Sequence, residues 1–284
     1  MKTKGKFFTA FLICAMLAGC TSKMELNESI PLQTDPPETV LSTEAWTAAE
    51  VPETTEIPTV TDVGFEVTIN PVITAAQKQV TVTTADEFLA AIAPDTEIIV
   101  DAALIDLSEA TEYGEGKGTY YYWSQAYDGP ELYILGLSNL TIRGSGDDHT
   151  ANVISSVPRY SNVLNFLNCS NIFIKGLTAG HTQEEGYCTG GVLLFMNCQE
   201  ILVEDCGLFG CGTLGVTGEN SRKLQIVRND IFECTDGGVK FSNCDDVNVD
   251  GNTFRELGGA DLLVYSCSNI TCNGEPVHDF APRR

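Results

Sequence analysis

Residues 239–250 read Val-Lys-Phe-Ser-Asn-Cys-Asp-Asp-Val-Asn-Val-Asp, and variants of this stretch recur through the second half of the chain. The last residue of its central phrase returns at intervals of 32, 29, 23, 23 and 23 residues. Similarity at a short fixed period is typical of a solenoid, in which each repeat packs on its neighbours. The phrases are Ser138-Asn139-Leu140, Ser170-Asn171-Ile172, Gln199-Glu200-Ile201, Arg222-Lys223-Leu224, Asp245-Asp246-Val247 and Ser268-Asn269-Ile270.

Apolar residues alternate with other residues around each phrase. Leu224 and Ile226 are one such pair, and Val239 and Phe241 form a second pair just before the next phrase. Successive strand residues face opposite sides, so this alternation predicts strands with one buried face. A 23-residue unit matches one coil of a right-handed parallel β-helix. We therefore predict an all-β right-handed parallel β-helix (solenoid).

The amino-terminal side of the predicted solenoid carries a helix signal. Thr84-Ala85-Asp86-Glu87 is a capping box, and Phe88 and Leu89 follow on one helical face. A short N-terminal capping helix would close the exposed first coil, whose backbone groups otherwise lack partners. The predicted β-helix domain covers residues 79–284.

Two columns of side chains follow the same period. Stacked coils place identical side chains about 4.8 Å apart, so we expect amides to hydrogen-bond along one column and small side chains to pack along the other. The period favours reduced, buried thiols, and disulfides between neighbouring coils are the alternative in an exported protein. The columns are Asn168, Asn197, Asn220 and Asn243, and Cys169, Cys198, Ser221, Cys244 and Cys267.

The first 78 residues indicate location. Three lysines precede an apolar run that is too short to span a bilayer, so residues 1–19 are predicted to be a signal peptide. Leu17-Ala18-Gly19-Cys20 resembles the lipobox of bacterial lipoproteins, which implies lipidation at Cys20. Residues 20–78 are rich in Thr, Glu and Pro and predict a disordered spacer. We expect a protein anchored by its lipid to the extracytoplasmic face of the cell membrane.

The formal net charge of −23 limits the partners. Nucleic acid and anionic lipid surfaces would be repelled by such a chain. Polyanionic glycans would need bridging cations or a local basic patch. No nucleic-acid partner is therefore expected.

The stacked phrases, the Asn and Cys columns and the capping helix resemble the pectin-lyase-like superfamily over residues 79–275. Polygalacturonases of this superfamily carry Asn-Thr-Asp-Gly, Asp-Asp, Gly-His-Gly and Arg-Ile-Lys motifs. This chain has Thr235-Asp236-Gly237 and the pair at 245–246, but neither of the last two motifs. The Arg-x-Pro-x-x-Arg phrase of pectate lyases is also missing. The usual pectinase residues are therefore not found, and any enzyme activity would be that of a polysaccharide lyase or glycoside hydrolase.

Candidate site residues come mainly from an insertion in the second coil. Residues 180–187 place a histidine, two carboxylates and a tyrosine in one segment, which suits acid–base chemistry and sugar stacking. We predict a site that includes catalytic His181, Glu184 and Glu185 and substrate-binding Tyr187, Arg159, Tyr160, Asp236 and Lys240.

Two functions remain open from the sequence. Aromatics at 120–123, with Tyr127, favour a carbohydrate-binding or carbohydrate-processing protein, since exposed aromatic rings stack on sugars. The missing pectinase residues favour a non-catalytic surface or adhesive scaffold. No cofactor or metal is predicted. Calcium at Asp147-Asp148-His149 is the alternative, although two acids and one histidine form a weak ligand set.

Overall fold

The computed structural model describes residues 77–181, 189–210 and 212–278. The predicted signal peptide, Cys20 and all but the last two residues of the predicted spacer lie outside this range. The strands and the α-helix, in chain order, are β1 Lys78–Val82, α1 Ala85–Ala91, β2 Thr96–Val100, β3 Leu104–Asp106, β4 Tyr121–Gln125, β5 Pro130–Leu135, β6 Ser138–Gly144, β7 Val153–Ser156, β8 Leu164–Leu167, β9 Ser170–Lys175, β10 Thr178–His181, β11 Leu193–Met196, β12 Gln199–Glu204, β13 Gly207–Phe209, β14 Leu214–Glu219, β15 Arg222–Val227, β16 Asp230–Phe232, β17 Gly237–Ser242, β18 Asp245–Asp250, β19 Thr253–Arg255, β20 Ala260–Tyr265, β21 Ser268–Cys272 and β22 Glu275–Val277. Single 3-10 turns occur at Leu107–Glu109 and His149–Ala151.

The strands form three sheets. Sheet A has the order β1-β2-β6-β9-β12-β15-β18-β21-β22, sheet B the order β19-β16-β13-β10-β7-β3, and sheet C the order β20-β17-β14-β11-β8-β5-β4. Neighbouring strands are parallel except in the pairs β4–β5 and β21–β22. Each full coil contributes one strand to sheet C, then sheet A, then sheet B. The predicted right-handed parallel β-helix is confirmed, and the third short strand of each coil is an addition to the prediction.

The predicted inner face is also confirmed. Leu224 and Ile226 are fully buried, and Leu224 lies beside Ile201 on one side and Val247 on the other. In sheet C the rings of Phe166 and Phe195 stack with centroids 5.1 Å apart. Burial of such side chains at about 25 cal/mol per Å² of apolar surface is the main stabilising term of the fold.

Gly218 occupies an inner position where the alternation predicts an apolar side chain. Packing explains this irregularity. A Cβ atom added there would lie 2.7 Å from the ring of Phe241 on the next coil. The missing side chain therefore makes room for that ring.

The predicted amide column is wrong. Asn168, Asn197, Asn220 and Asn243 are exposed, and their φ angles of 55°, 54°, 49° and 53° are left-handed. Asparagine adopts this conformation more readily than most residues, so these residues turn the chain from sheet C to sheet A.

Stacked amides occur in two other columns. The Asn171 Nδ2 donates to Asn139 Oδ1 at 2.9 Å, and Asn229 Nδ2 donates to Asn252 Oδ1 at 2.9 Å. The Oδ1 of Asn229 also accepts the backbone N–H of Cys206 at 2.9 Å. The amides of Asn229 and Asn252 satisfy backbone groups in the turns, which buried polar groups require.

The predicted column of small side chains is confirmed. Cys198 N donates to Ser221 Oγ at 2.9 Å, and Cys244 N donates to Cys267 Sγ at 3.2 Å, each across 23 residues. In the described part of the chain, Cys169, Cys198, Cys206, Cys244 and Cys272 carry free thiols, as the prediction of reduced thiols requires. A further buried thiol, Cys206, lies at the corner between sheets A and B, and burial raises its pKa to about 12.

The capping helix forms as predicted. Thr84 Oγ1 accepts the Glu87 N–H at 3.2 Å, and the Glu87 carboxylate accepts the Thr83 N–H at 2.8 Å. Phe88 is fully buried against the first coil. The described part of the chain contains no helix with the length and apolarity that crossing a lipid bilayer requires.

Charges of opposite sign alternate between three neighbouring coils on the side of sheet A. Strand β15 carries Lys223, which lies between Glu200 of β12 and Asp246 of β18. The Lys223 Nζ is 3.1 Å from Glu200 Oε1, and Arg228 pairs in the same way with Asp205 at 2.9 Å. The outer positions of these coils therefore hold neighbouring coils together by ion pairs.

Candidate functional site

Two loops of the first coils meet at the corner between sheets B and C. Asp128, at the tip of the β4–β5 hairpin, accepts the backbone N–H of Arg159 at 2.6 Å and of Tyr160 at 3.1 Å. The rings of Tyr127 and Tyr160 lie 4.9 Å apart between centroids and are tilted by 55°. Tyr127 is 86% exposed and Tyr160 is 37% exposed. Asp128 thus holds together two loops that present aromatic faces to solvent.

A polar cluster lies beside this corner on the outer side of sheet C. Glu131 accepts three hydrogen bonds, from Tyr133 OH at 3.1 Å, Asn162 N at 3.0 Å and Asn165 Nδ2 at 3.3 Å. Burial and the neighbouring Glu131 raise the pKa of Tyr133 to about 12. Tyr122 stacks on Tyr133 with ring centroids 5.1 Å apart.

These residues form one continuous strip along the hairpin and the facing loop. We call the strip the tyrosine face and define it as Tyr122, Tyr127, Asp128, Glu131, Tyr133, Tyr160, Asn162 and Asn165. The amides of Asn162 and Asn165 are engaged within the strip, since Asn162 Nδ2 donates to Asn165 Oδ1 at 2.8 Å and Asn162 Oδ1 accepts the Gly191 N–H at 2.7 Å. The strip offers carboxylate groups for hydrogen bonding next to exposed rings. This combination suits a ligand with both polar groups and apolar faces.

His181 is the last residue of β10 and is only 2% exposed. Its Nδ1 lies 3.3 Å from the Ser156 carbonyl oxygen and its Nε2 lies 3.3 Å from the Gly191 carbonyl oxygen. Burial lowers its pKa and outweighs the opposing effect of the two carbonyl contacts. The ring therefore links both ends of the second-coil insertion. Glu184, Glu185 and Tyr187 lie outside the described residues.

Asp236 and Lys240 lie farther along the solenoid. Lys240 is on the outer side of β17, in the row that runs through Thr217 and Leu194 to Asn165. Three strand spacings, about 14 Å, separate Lys240 from Asn165. Asp236 is exposed in the turn before β17, and its N–H donates to the Thr213 carbonyl at 2.9 Å.

The structure thus brings Arg159 and Tyr160 to the tyrosine face, and it places Asp236 and Lys240 on the same side at a distance. Asp128, Glu131, Asn162 and Asn165 belong to the site but were not among the predicted residues. The Asp128-Gly129 pair is a turn signal that, with the flanking aromatics, could have indicated the hairpin. The aromatics at 120–123 have two roles. Tyr122 belongs to the tyrosine face, whereas Trp123 packs edge-on against Tyr113, with ring centroids 4.9 Å apart.

The acidic motifs singled out from the sequence have structural partners. Asp148 accepts the Thr150 N–H at 2.8 Å, and His149 Nδ1 lies 3.0 Å from Thr178 Oγ1. Within the described ranges, no three His, Cys, Asp or Glu side chains are grouped so that they could hold a metal ion. Asp245 accepts Asn269 Nδ2 at 3.0 Å, and Asp246 has a left-handed φ of 55° in the repeated phrase.

Comparison with known proteins gives the family. No curated protein matches the sequence. The chain resembles a solved structure described as a "putative glycosyl hydrolase" from Parabacteroides merdae ATCC 43184, at 11% identity and a TM-score of 0.40, over 70% of this chain and 100% of that chain. This likeness is too weak to support an argument. The family described as "Right handed beta helix region" matches residues 133–279, more than half of the chain, and the protein therefore belongs to the right-handed β-helix family.

Proposed function

We propose that the protein binds a carbohydrate chain on the tyrosine face and does not cleave it. The observation that carries the proposal is the pair of exposed rings, Tyr127 and Tyr160, held 4.9 Å apart by the Asp128 bridge. Sugar rings have apolar C–H faces that pack on aromatic rings, while their hydroxyl groups need hydrogen-bond partners. The carboxylates of Asp128 and Glu131, which lie beside these tyrosine rings, can accept hydrogen bonds from sugar hydroxyl groups.

The environment of His181 favours binding over cleavage. A general base needs a nitrogen lone pair within hydrogen-bond reach of the substrate proton. Both ring nitrogens of His181 face backbone carbonyl oxygens, and the side chain is almost fully buried. Its position supports a role in holding the insertion. A non-catalytic scaffold remains the second candidate function. A buried His181 that holds the insertion fits that function equally well.

We further propose that the binding domain is held at the extracytoplasmic face of the cell membrane by a lipid on Cys20. The support is the signal-like segment 1–19 and the lipobox-like Leu17-Ala18-Gly19-Cys20, followed by the Thr-, Glu- and Pro-rich segment up to residue 78. The test is fractionation of cells that produce the chain. The unchanged protein should sediment with membranes and carry a lipid by mass spectrometry, whereas Cys20→Ala should abolish lipidation. An unlipidated protein at its full precursor mass would contradict the anchor.

The binding proposal is tested with the full chain on an array of oligosaccharides, followed by calorimetry on any ligand found. Tyr160→Ala should weaken binding roughly tenfold, which corresponds to about 1.4 kcal/mol. Tyr265→Ala is a matched control, because Tyr265 is also 37% exposed but lies on β20 near the other end of the solenoid. Equal losses in both variants, or an array without any ligand, would refute carbohydrate binding at this face.

A further inference from the structure

Resting on the proposed carbohydrate binding, we infer that the sugar bound at the tyrosine face carries protonated amino groups. The inference concerns the charge of the ligand and depends on the charges that surround the site. A neutral or acidic sugar would pack on the same rings. The charge of the ligand can therefore be tested separately from binding itself.

The tyrosine face holds two carboxylates that have no cationic partner among the described residues. Six ion pairs connect described residues, and neither Asp128 nor Glu131 takes part in any of them. Their hydrogen-bond donors are backbone N–H groups, a tyrosine hydroxyl and an asparagine amide, all of them neutral. Hydrogen bonds of this kind bring no positive charge to either carboxylate. A bound ammonium group would supply the missing opposite charge.

The tyrosines add a second reason to expect a cation. An ammonium group close to an aromatic face is attracted by the ring, and Tyr127 and Tyr160 present such faces directly beside Asp128. The neighbouring Tyr133 stays neutral, since burial and Glu131 hold its pKa at about 12. Rings and carboxylates on one strip therefore both favour positive charge.

An acidic sugar finds little support on the same side of the molecule. The described part of the chain has no cluster of acidic or histidine ligands that could hold a bridging cation. Lys240 is three strands from Asn165 along sheet C. Arg159 is closer, and it lies beside the Asp128 carboxylate, which accepts its backbone N–H at 2.6 Å. The net charge of −23 adds long-range repulsion of polyanions.

The test compares three hexasaccharides of equal length by calorimetry with the full chain at pH 5.5. They are a glucosamine hexamer with free amines, its N-acetylated counterpart without charge, and a galacturonic acid hexamer. The amine hexamer should bind at least tenfold more tightly than its acetylated counterpart, and this preference should shrink as salt is added. The acidic hexamer should bind most weakly.

Two variants separate the site from general attraction by an acidic protein. Glu131→Gln keeps the shape of the side chain and should remove most of the preference for the amine hexamer. Glu275→Gln changes the net charge equally, but it alters an exposed residue of β22 near the other end of the solenoid and should leave the preference intact. The salt series on the unchanged protein gives an independent reading should Glu131→Gln fail to fold.

The outcomes distinguish the two proposals. Equal or tighter binding of the acetylated or acidic hexamer overturns the inference and leaves carbohydrate binding standing. Equal effects of the two Gln variants show non-specific attraction and also overturn it. If none of the hexamers binds while the array yields another, amine-free glycan, the inference is again wrong. A blank array refutes the proposed function itself.

Discussion

Replacing Lys223 with glutamate would reverse a charge that lies between acidic residues on both neighbouring coils. Lys223 forms an ion pair with Glu200 at 3.1 Å, and the strand register places Asp246 next to it on the other side. In Lys223→Glu, three carboxylates would stand in one column at the coil spacing of about 4.8 Å. The register of neighbouring coils is what brings these residues together, so the substitution tests the stacking directly.

The expected loss follows from exposure and distance. The side chains of Lys223 and Glu200 are 44% and 42% exposed, so the lost ion pair accounts for about 0.2 to 1 kcal/mol. Two new repulsions at about 5 Å add roughly 0.8 kcal/mol each in a water-like dielectric. The free energy of unfolding should fall by about 2 kcal/mol in total, which lowers the melting temperature by about 4 to 8 °C for a domain of this size.

Thermal unfolding at low and high salt is the assay. Lys223→Gln is the matched control, because it removes the ion pair, adds no repulsion and keeps a side chain at the same left-handed φ of 56°. Lys223→Glu should be the less stable variant at low salt, and the gap should narrow at about 1 M salt, where charges are screened within about 3 Å. Equal melting temperatures at low salt, or a gap that salt does not change, would refute the stacked charge column.

Three further predictions concern stability. Val216 is fully buried on β14 and Thr217 points outward, so Val216→Asp should cost about 4 kcal/mol or more in chemical denaturation while Thr217→Asp stays within about 0.5 kcal/mol; similar losses would contradict the two-residue period. The pKa of His181 is lowered in the folded state, so unfolding takes up a proton and stability falls as pH drops through the unfolded value of about 6.5. The melting temperature should therefore drop less between pH 7.5 and pH 5 in His181→Gln, and an unchanged drop would refute this. Glu233 is exposed at a φ of 56°, so Glu233→Gly should raise the free energy of unfolding by about 1 kcal/mol, whereas Thr217→Gly in an extended strand should lower it by a similar amount. A loss in both glycine variants would contradict the left-handed turn.

The coils could be predicted because they repeat. Stacking imposes the same burial on equivalent positions of every coil. Apolar residues such as Leu224 and Val247 therefore recur at the inner face, and each coil repeats the same signal. The asparagine column was misinterpreted because asparagine suits both a hydrogen-bonded stack and a left-handed turn. The first and last coils carry the distinguishing signal. Gly136 and Ser266 occupy the same corner with φ angles of 63° and 53°, and glycine cannot form an amide stack.

The candidate site was harder to predict because it lies where the repeat breaks down. The β4–β5 hairpin is antiparallel and has no counterpart among the later coils, so the period says nothing about it. Asp128 is joined to Arg159 and Tyr160 through backbone N–H groups, and such a contact places no requirement on the identity of the residues that donate. The position of His181 at the end of a strand could not be predicted, because the strands of sheet B have only three or four residues, too few to show alternation.

Binding on the first coils would leave the ion pairs between the later coils undisturbed. In the later coils, Glu200 and Asp205 are occupied by Lys223 and Arg228, and Asp230 is occupied by Arg255 at 2.9 Å. A ligand that bound these acids would have to break ion pairs between coils. On the tyrosine face, Asp128 and Glu131 take part in none of the ion pairs between described residues, and a hairpin and a loop outside the repeat position them. Stacking and binding therefore use different acidic residues, and substitutions of one set should leave the other property unchanged.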